Sequence, residues 1–280
     1  MPTFDTPRQI SVTAHVEAGS IQFTASDRTD TTVEARPRDP KKDVDVRAAD
    51  QTQITYAGGV LTIRTPKSGL FGRTGTVDVT VDLPTASRID VTGAWTQVLG
   101  EGQLGEVRVK TSSGDTRFDT TGPLHLTASH GSITVDRVEG PAEIATSTGS
   151  LRVGHLDGPA VLKNSHGTTT VGAAIGEIRV SGANGDIEIR RAEDSVTATT
   201  AHGTLRVDEV VRGTVQLETS YGAIDIGVRE GTAAWLDANS SSGQVRNTLT
   251  ASASPTQTED TVKIRARTRH GNIDVRRAKH

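Results

Sequence analysis

Gly131-Ser-Ile-Thr-Val135, Gly149-Ser-Leu-Arg-Val153, Gly185-Asp-Ile-Glu-Ile189 and Gly203-Thr-Leu-Arg-Val207 are copies of one pattern. Each is a glycine, a small or polar residue, then two apolar residues flanking a polar one. Weaker copies begin at Gly114, Gly167 and Gly222. Successive glycines lie 17, 18, 18, 18, 18 and 19 residues apart, and self-similarity at such a period means stacked units. Nine residues before each lies a second marker: Gly105, Gly122, Gly140, Gly158, Gly176, Asp194 and Gly213. The repeat therefore reads as strand, turn, strand, corner.

Side chains alternate across a strand, so the apolar set of each unit shares one face. The first strands align Val107, Leu124, Ala142, Ala160, Ile178, Val196 and Val215, with Val109, Leu126, Ile144, Leu162, Val180, Ala198 and Leu217 beside them. The second strands align Thr116, Ile133, Leu151, Thr169, Ile187, Leu205 and Ile224, then Phe118, Val135, Val153, Val171, Ile189, Val207 and Ile226. Like residues at a fixed offset stack when each unit is one coil. The expected fold is all-β: a parallel β-solenoid, or single-stranded β-helix, of about 18-residue coils over 101–280. A less regular β-rich part over 1–100 caps it.

Outward from the repeat the pattern loosens. Upstream, alternation marks Ile10 to Val16, Val44-Asp-Val46, Ile54-Thr-Tyr56, Leu61-Thr-Ile63 and Val77 to Leu83, and Gly19-Ser-Ile-Gln-Phe23 is an early copy of the glycine signature. Arg36 to Lys42 and Lys67 to Gly75 read as exposed loops. Downstream, Trp235-Leu-Asp and Gly243-Gln-Val look like one coil, and Ala251 to Glu259 like a loop. Thr261 to Val275 then reads as the last rung.

Composition excludes several classes. A net charge of −3 does not suit a general nucleic-acid binder, which needs a basic face. With no cysteine there is neither a disulfide framework nor a thiolate metal site. No run approaches the ~20 apolar residues of a membrane span, and the opening Met1-Pro-Thr-Phe-Asp-Thr-Pro7 shows no signal peptide. The expectation is a cytoplasmic monomer.

Several stretches carry a resemblance: Gly158-Pro-Ala-Val-Leu-Lys-Asn-Ser-His-Gly167, Ala183-Asn-Gly-Asp-Ile187, Ala234-Trp-Leu-Asp237 and Arg267-Thr-Arg-His-Gly-Asn-Ile-Asp-Val275. The opening Phe4 to Val12 and the strand ending at Pro84 share it. Together they resemble the bacterial putative-adhesin family of β-strand-repeat proteins, a domain of unknown function. The resemblance implies a β-solenoid and an adhesive or scaffolding role, and supplies no catalytic residues.

Two constellations remain. Histidine precedes the turn glycine at His130, His166, His202 and His270, with Thr148, Asn184 and Tyr221 filling that slot between them. Parallel side chains do not converge as zinc ligands must. The slot reads instead as a turn position tolerating positive φ, and His130, His166, Asn184 and His202 would still form a stripe able to contact a partner. The second is Lys263, Arg265, Arg267 and Arg269 on one face of the supposed last rung. That strip reads as protection of an uncapped edge, or as a docking site for an acidic protein partner.

The outward column Arg117, Thr134, Arg152, Thr170, Glu188, Arg206, Asp225, Arg246 reads as charge pairing on a solvated face. The buried corner slot Thr111, Ala128, Thr146, Asn164, Gly182, Thr200, Thr219 reads as small polar groups bonding to backbone. No three acids fall on adjacent rungs of one face, as a calcium-assisted lyase would need. The expected function is a non-catalytic, adhesin-like scaffold or interaction protein, not an enzyme, with no cofactor and no metal. The alternative is a carbohydrate-binding or polysaccharide-active β-helix protein.

Overall fold

The computed structural model describes residues 2–66, 74–249 and 260–278. The expected loops at Lys67 to Gly75 and Ala251 to Glu259 therefore lie largely outside the described residues. The chain divides into two compact units, Met1–Glu139 and Gly140–His280. Both are built on the parallel β-solenoid pattern, each repeat contributing two strands joined at the turn glycine.

In the first unit the rungs Val107–Ser113 with Thr116–Thr121, and Leu124–His130 with Ile133–Val138, stack in parallel and in register. Before them, Ser11–Ser26 and Arg88–Gln103 each run through a whole rung as one long strand. Outside Ser11–Ser26 lie Val60–Arg64 and Val77–Pro84, also parallel to it. The first long strand of the chain is thus inserted between two later segments. One apolar column runs Leu61, Val12, Ile89, Val107, Leu124, none more than 3% exposed. Each such side chain contributes about 1.5–3 kcal/mol of burial.

The outer rung is covered by antiparallel strands, Asp30–Pro37 on Val77–Pro84 and Gln53–Ala57 on Val60–Arg64. The alternation at Val44-Asp-Val46 does not become a strand. Asp43–Asp50 is an α-helix. Asp43 and Asp45 favour its N-terminal turn, Ala48 is buried, and the Asp45 carboxylate accepts the Thr76 amide at 2.8 Å.

In the second unit the stacking order is Ala142–Thr148, Ala160–His166, Ile178–Asn184, Val196–His202 and Gly213–Tyr221, each parallel to the next. Their partners across the glycine turn stack alongside in the same way. Thr261–His270 then pairs with Gly213–Tyr221 on one side and Ala233–Ser242 on the other. Ile273–Arg277 likewise lies between Ile224–Val228 and Val245–Asn247. The rung expected to be last is therefore internal, and Ala233–Ser242 with Val245–Asn247 is outermost. Burial agrees with this order: Val262, Ile264, Ala266 and Thr268 are all at most 4% exposed, whereas the matching inward residues Leu236 and Ala238 of the outermost strand are only half-buried and Val245, opposite Ile273, is 44% exposed.

In the rungs that turn at a glycine, that residue cannot be replaced without strain. Gly185 sits at φ +142°, and a Cβ there would overlap the Gly167 carbonyl of the preceding rung. That carbonyl row is also the acceptor for the corner slot. The Asn164 amide donates to the Gly149 carbonyl at 3.0 Å, and the Thr219, Thr268 and Ser240 hydroxyls donate to Gly203, Gly222 and Gly271 at 3.2, 3.1 and 2.8 Å. The corner slot thus bonds to backbone, as its composition suggests. Thr111 and Thr146 differ: their buried hydroxyls have no partner among the described residues.

Candidate functional site

The turn slot forms an exposed column. In the second unit Thr148, His166, Asn184, His202, Tyr221, His270 and Ser242 stand side by side in register. All are exposed. His202 and Tyr221 stack with ring centroids 5.0 Å apart and planes 5° from parallel, and Tyr221 and His270 stack at 4.7 Å and 12°. Strand spacing of about 4.8 Å dictates this: flat rings in one slot on adjacent rungs have no other distance to take. In the first unit the same slot holds Trp95, Ser113 and His130. Trp95 is 69% exposed. It escaped the sequence reading because Thr96, not glycine, follows it; register alone places it in the column.

The histidine slot is not the positive-φ position expected of it. These residues do not adopt positive φ. Among the described residues Ala86 is the only non-glycine that does, and the left-handed position belongs to the glycine that follows each histidine. The slot is filled by whatever projects outward at the strand end, and nothing in its backbone selects histidine.

The basic strip occupies the outer face of the inserted strand. Lys263 lies between Thr214 and Trp235, Arg265 between Gln216 and Asp237, and Arg267 between Glu218 and Asn239. Since this strand is internal, the strip protects no open edge. Arg267 bonds the Asp237 carboxylate and, at 2.9 Å, the Asp237 carbonyl; Arg265 reaches the same carboxylate at 3.5 Å. The Arg267 guanidinium, aided by Arg265, holds the Asp237 carboxyl below the usual carboxylate range. Two of the four cations therefore tie the outermost strand to the inserted one. Lys263 and Arg269 are exposed.

The charge pairing expected across rungs runs mainly along strands. Arg206 meets Asp208 at 2.7 Å, Arg179 meets Glu177 at 2.8 Å and Arg108 meets Glu106 at 2.6 Å, each two residues apart. The Asp208 hydrogen bond is the main cause raising the Arg206 pKa, with Asp225 and Glu188 on the neighbouring rungs adding less. Among the described residues no three His, Cys, Asp or Glu side chains group as metal ligands, and no helix is long and apolar enough to cross a membrane.

The sequence model of one family, described as Toastrack DUF4097, matches residues 8–276. Among solved structures, the chain is similar to a "putative adhesin" from Bacteroides fragilis NCTC 9343, at 15% identity and a TM-score of 0.42 over 98% of this chain and 95% of that one. A "putative adhesin" from Parabacteroides merdae ATCC 43184 is 14% identical, with a TM-score of 0.42 over 79% and 92%. A "putative lipid binding protein" from Parabacteroides distasonis ATCC 8503 is 12% identical, with a TM-score of 0.29 over 99% and 96%. No curated protein matches the chain.

Proposed function

The chain belongs to the Toastrack DUF4097 family, and from that premise we propose a non-catalytic, adhesin-like interaction protein whose turn column binds a protein partner. The observation that carries this reading is the stacked, exposed series His166, Asn184, His202, Tyr221, His270. Side chains held by neighbouring rungs lose little freedom on binding, and aromatic residues are favoured anchors at interfaces. Lys263 and Arg269 extend the same reading to an acidic partner, because Arg265 and Arg267 are engaged with Asp237.

The test is a photo-cross-linking residue placed at position 202 in the native host. It should trap one discrete protein. A second cross-linker at Val161, on the outer face away from the turn, should trap none. His166→Ala combined with Tyr221→Ala should abolish the adduct at position 202 while the protein still unfolds in one cooperative transition, its midpoint lowered only by the lost ring stacking. Equal labelling at both positions, or an adduct indifferent to the double substitution, would sink the reading.

A further inference from the structure

In the first unit a row of side chains crosses four adjacent strands: Gln53, Arg64, His15 and Thr92. Beside this row opens a cavity of about 540 Å³, lined among the described residues by His15, Gln51, Gln53, Arg64, Thr65 and Pro66. That volume lies within the range of small-molecule sites, about 300–1,000 Å³. Antiparallel pairing sets Gln53 against Arg64, parallel pairing sets Arg64 against His15, and the end of the helix at Gln51 supplies the second amide.

The wall formed by His15 is held through one ring nitrogen. Its Nδ1 lies 3.0 Å from the Thr92 hydroxyl, while its buried Nε2, 3.3 Å from the Glu17 carboxylate, has no hydrogen-bond partner among the described residues. Thr65 is committed as well, its hydroxyl accepting the Glu17 amide at 2.9 Å. Arg64 is exposed and has no carboxylate within ion-pair distance among the described residues. By contrast Arg28, Arg36, Arg38 and Arg108 of the same unit meet carboxylates at 2.9, 2.8, 2.7 and 2.6 Å. The open groups facing the cavity are thus one guanidinium fork and two primary amides. Glu17, the acid that touches the wall, is turned to His15.

We propose that this cavity binds a hydroxylated carboxylate, the chemistry of a sugar acid. Arg64 takes the carboxylate through paired N–H donors, the geometry in which arginine surpasses lysine. Gln51 and Gln53 each offer donors and an acceptor, which matches hydroxyl groups that both give and receive hydrogen bonds. The His15 ring and Pro66 provide the apolar surface against which C–H faces rest. The site is separate from the turn column, and either can fail without the other.

The probe is D-glucuronate titrated calorimetrically into the full chain, with D-glucose as the uncharged control. Glucuronate should bind saturably and glucose should not. Arg64→Gln should weaken binding about tenfold or more, the loss expected for a charge-assisted pair. Arg179→Gln, which changes a surface arginine of the second unit, should leave it unaltered. Gln53→Ala should weaken it less than Arg64→Gln. Absence of saturable glucuronate binding overturns the proposal; so does an Arg64→Gln variant that binds like the wild type, and so does glucose binding as tightly as glucuronate.

Discussion

The rings of Tyr221 and His270 lie 4.7 Å apart and 12° from parallel, although the whole outermost rung separates them in sequence. Their contact exists only because Thr261–His270 inserts beside Gly213–Tyr221. A double-mutant cycle with Tyr221→Ala and His270→Ala should give a coupling of about 0.5–1.5 kcal/mol. His166 and His202, separated by the Asn184 rung, should show none. Zero coupling for the Tyr221–His270 pair would mean the stack contributes nothing to stability.

Ile187 is 3% exposed between Thr169 and Leu205, whereas Val161 faces outward at 36%. Ile187→Ala should cost about 2–5 kcal/mol in urea unfolding, and Val161→Ala should stay within about 0.5 kcal/mol. A reversal of these two would place the core on the wrong face.

Thr219 and Thr146 occupy the same buried corner slot with opposite bonding. Thr219→Val removes a hydrogen bond to the Gly203 carbonyl and should cost about 0.5–1.5 kcal/mol. Thr146→Val removes a hydroxyl that has no partner among the described residues, and should be neutral or stabilising. Comparing the two melting midpoints is sufficient; equal losses would refute the distinction.

Asp237 links the outermost strand to Arg267 and Arg265. Its carboxyl is held below the usual range, so its contribution is fully present above the unfolded value and declines as pH falls through the lower folded value. The outer strand should accordingly loosen only on acidification below about pH 4. Hydrogen exchange of the Ala233–Ser242 amides is the readout. Asp237→Asn should raise that exchange at neutral pH and erase its acid dependence. Unchanged exchange in the variant would show that the strand is held by backbone pairing alone.

The core columns were legible because the period fixes the phase. Ile187, Leu205 and their equivalents could face only one way once Gly185 and Gly203 were aligned. Rung order was less accessible. Alternation says which face of Thr261–His270 is buried but not which strand lies beside it, and the expectation followed chain order. Ala234, Leu236, Ala238 and Ser240 fill the same four inward slots as Val262, Ile264, Ala266 and Thr268, so the pattern of either strand is compatible with the outermost place. The helix at Asp43–Asp50 was hidden because Val-Asp-Val fits a strand over three residues, and the anchoring of Asp45 to Thr76 depends on a distant segment. The Gln53–Arg64–His15 row was invisible for a similar reason, since it combines parallel and antiparallel neighbours that no single period relates.

Each unit contains one rung inserted out of chain order, and the two differ in when that rung is made. Ser11–Ser26 leaves the ribosome before either of its neighbours, so it can serve as the template on which Val60–Arg64 and Arg88–Gln103 settle. Thr261–His270 emerges after both of its neighbours. Val215 and Leu236 each pair opposite Ile264, so the waiting strands share one phase and can pair with each other first. A nascent second unit must either hold that slot open or surrender a finished pairing to fill it. The first unit can therefore grow from a seed, whereas completion of the second requires insertion between strands already made.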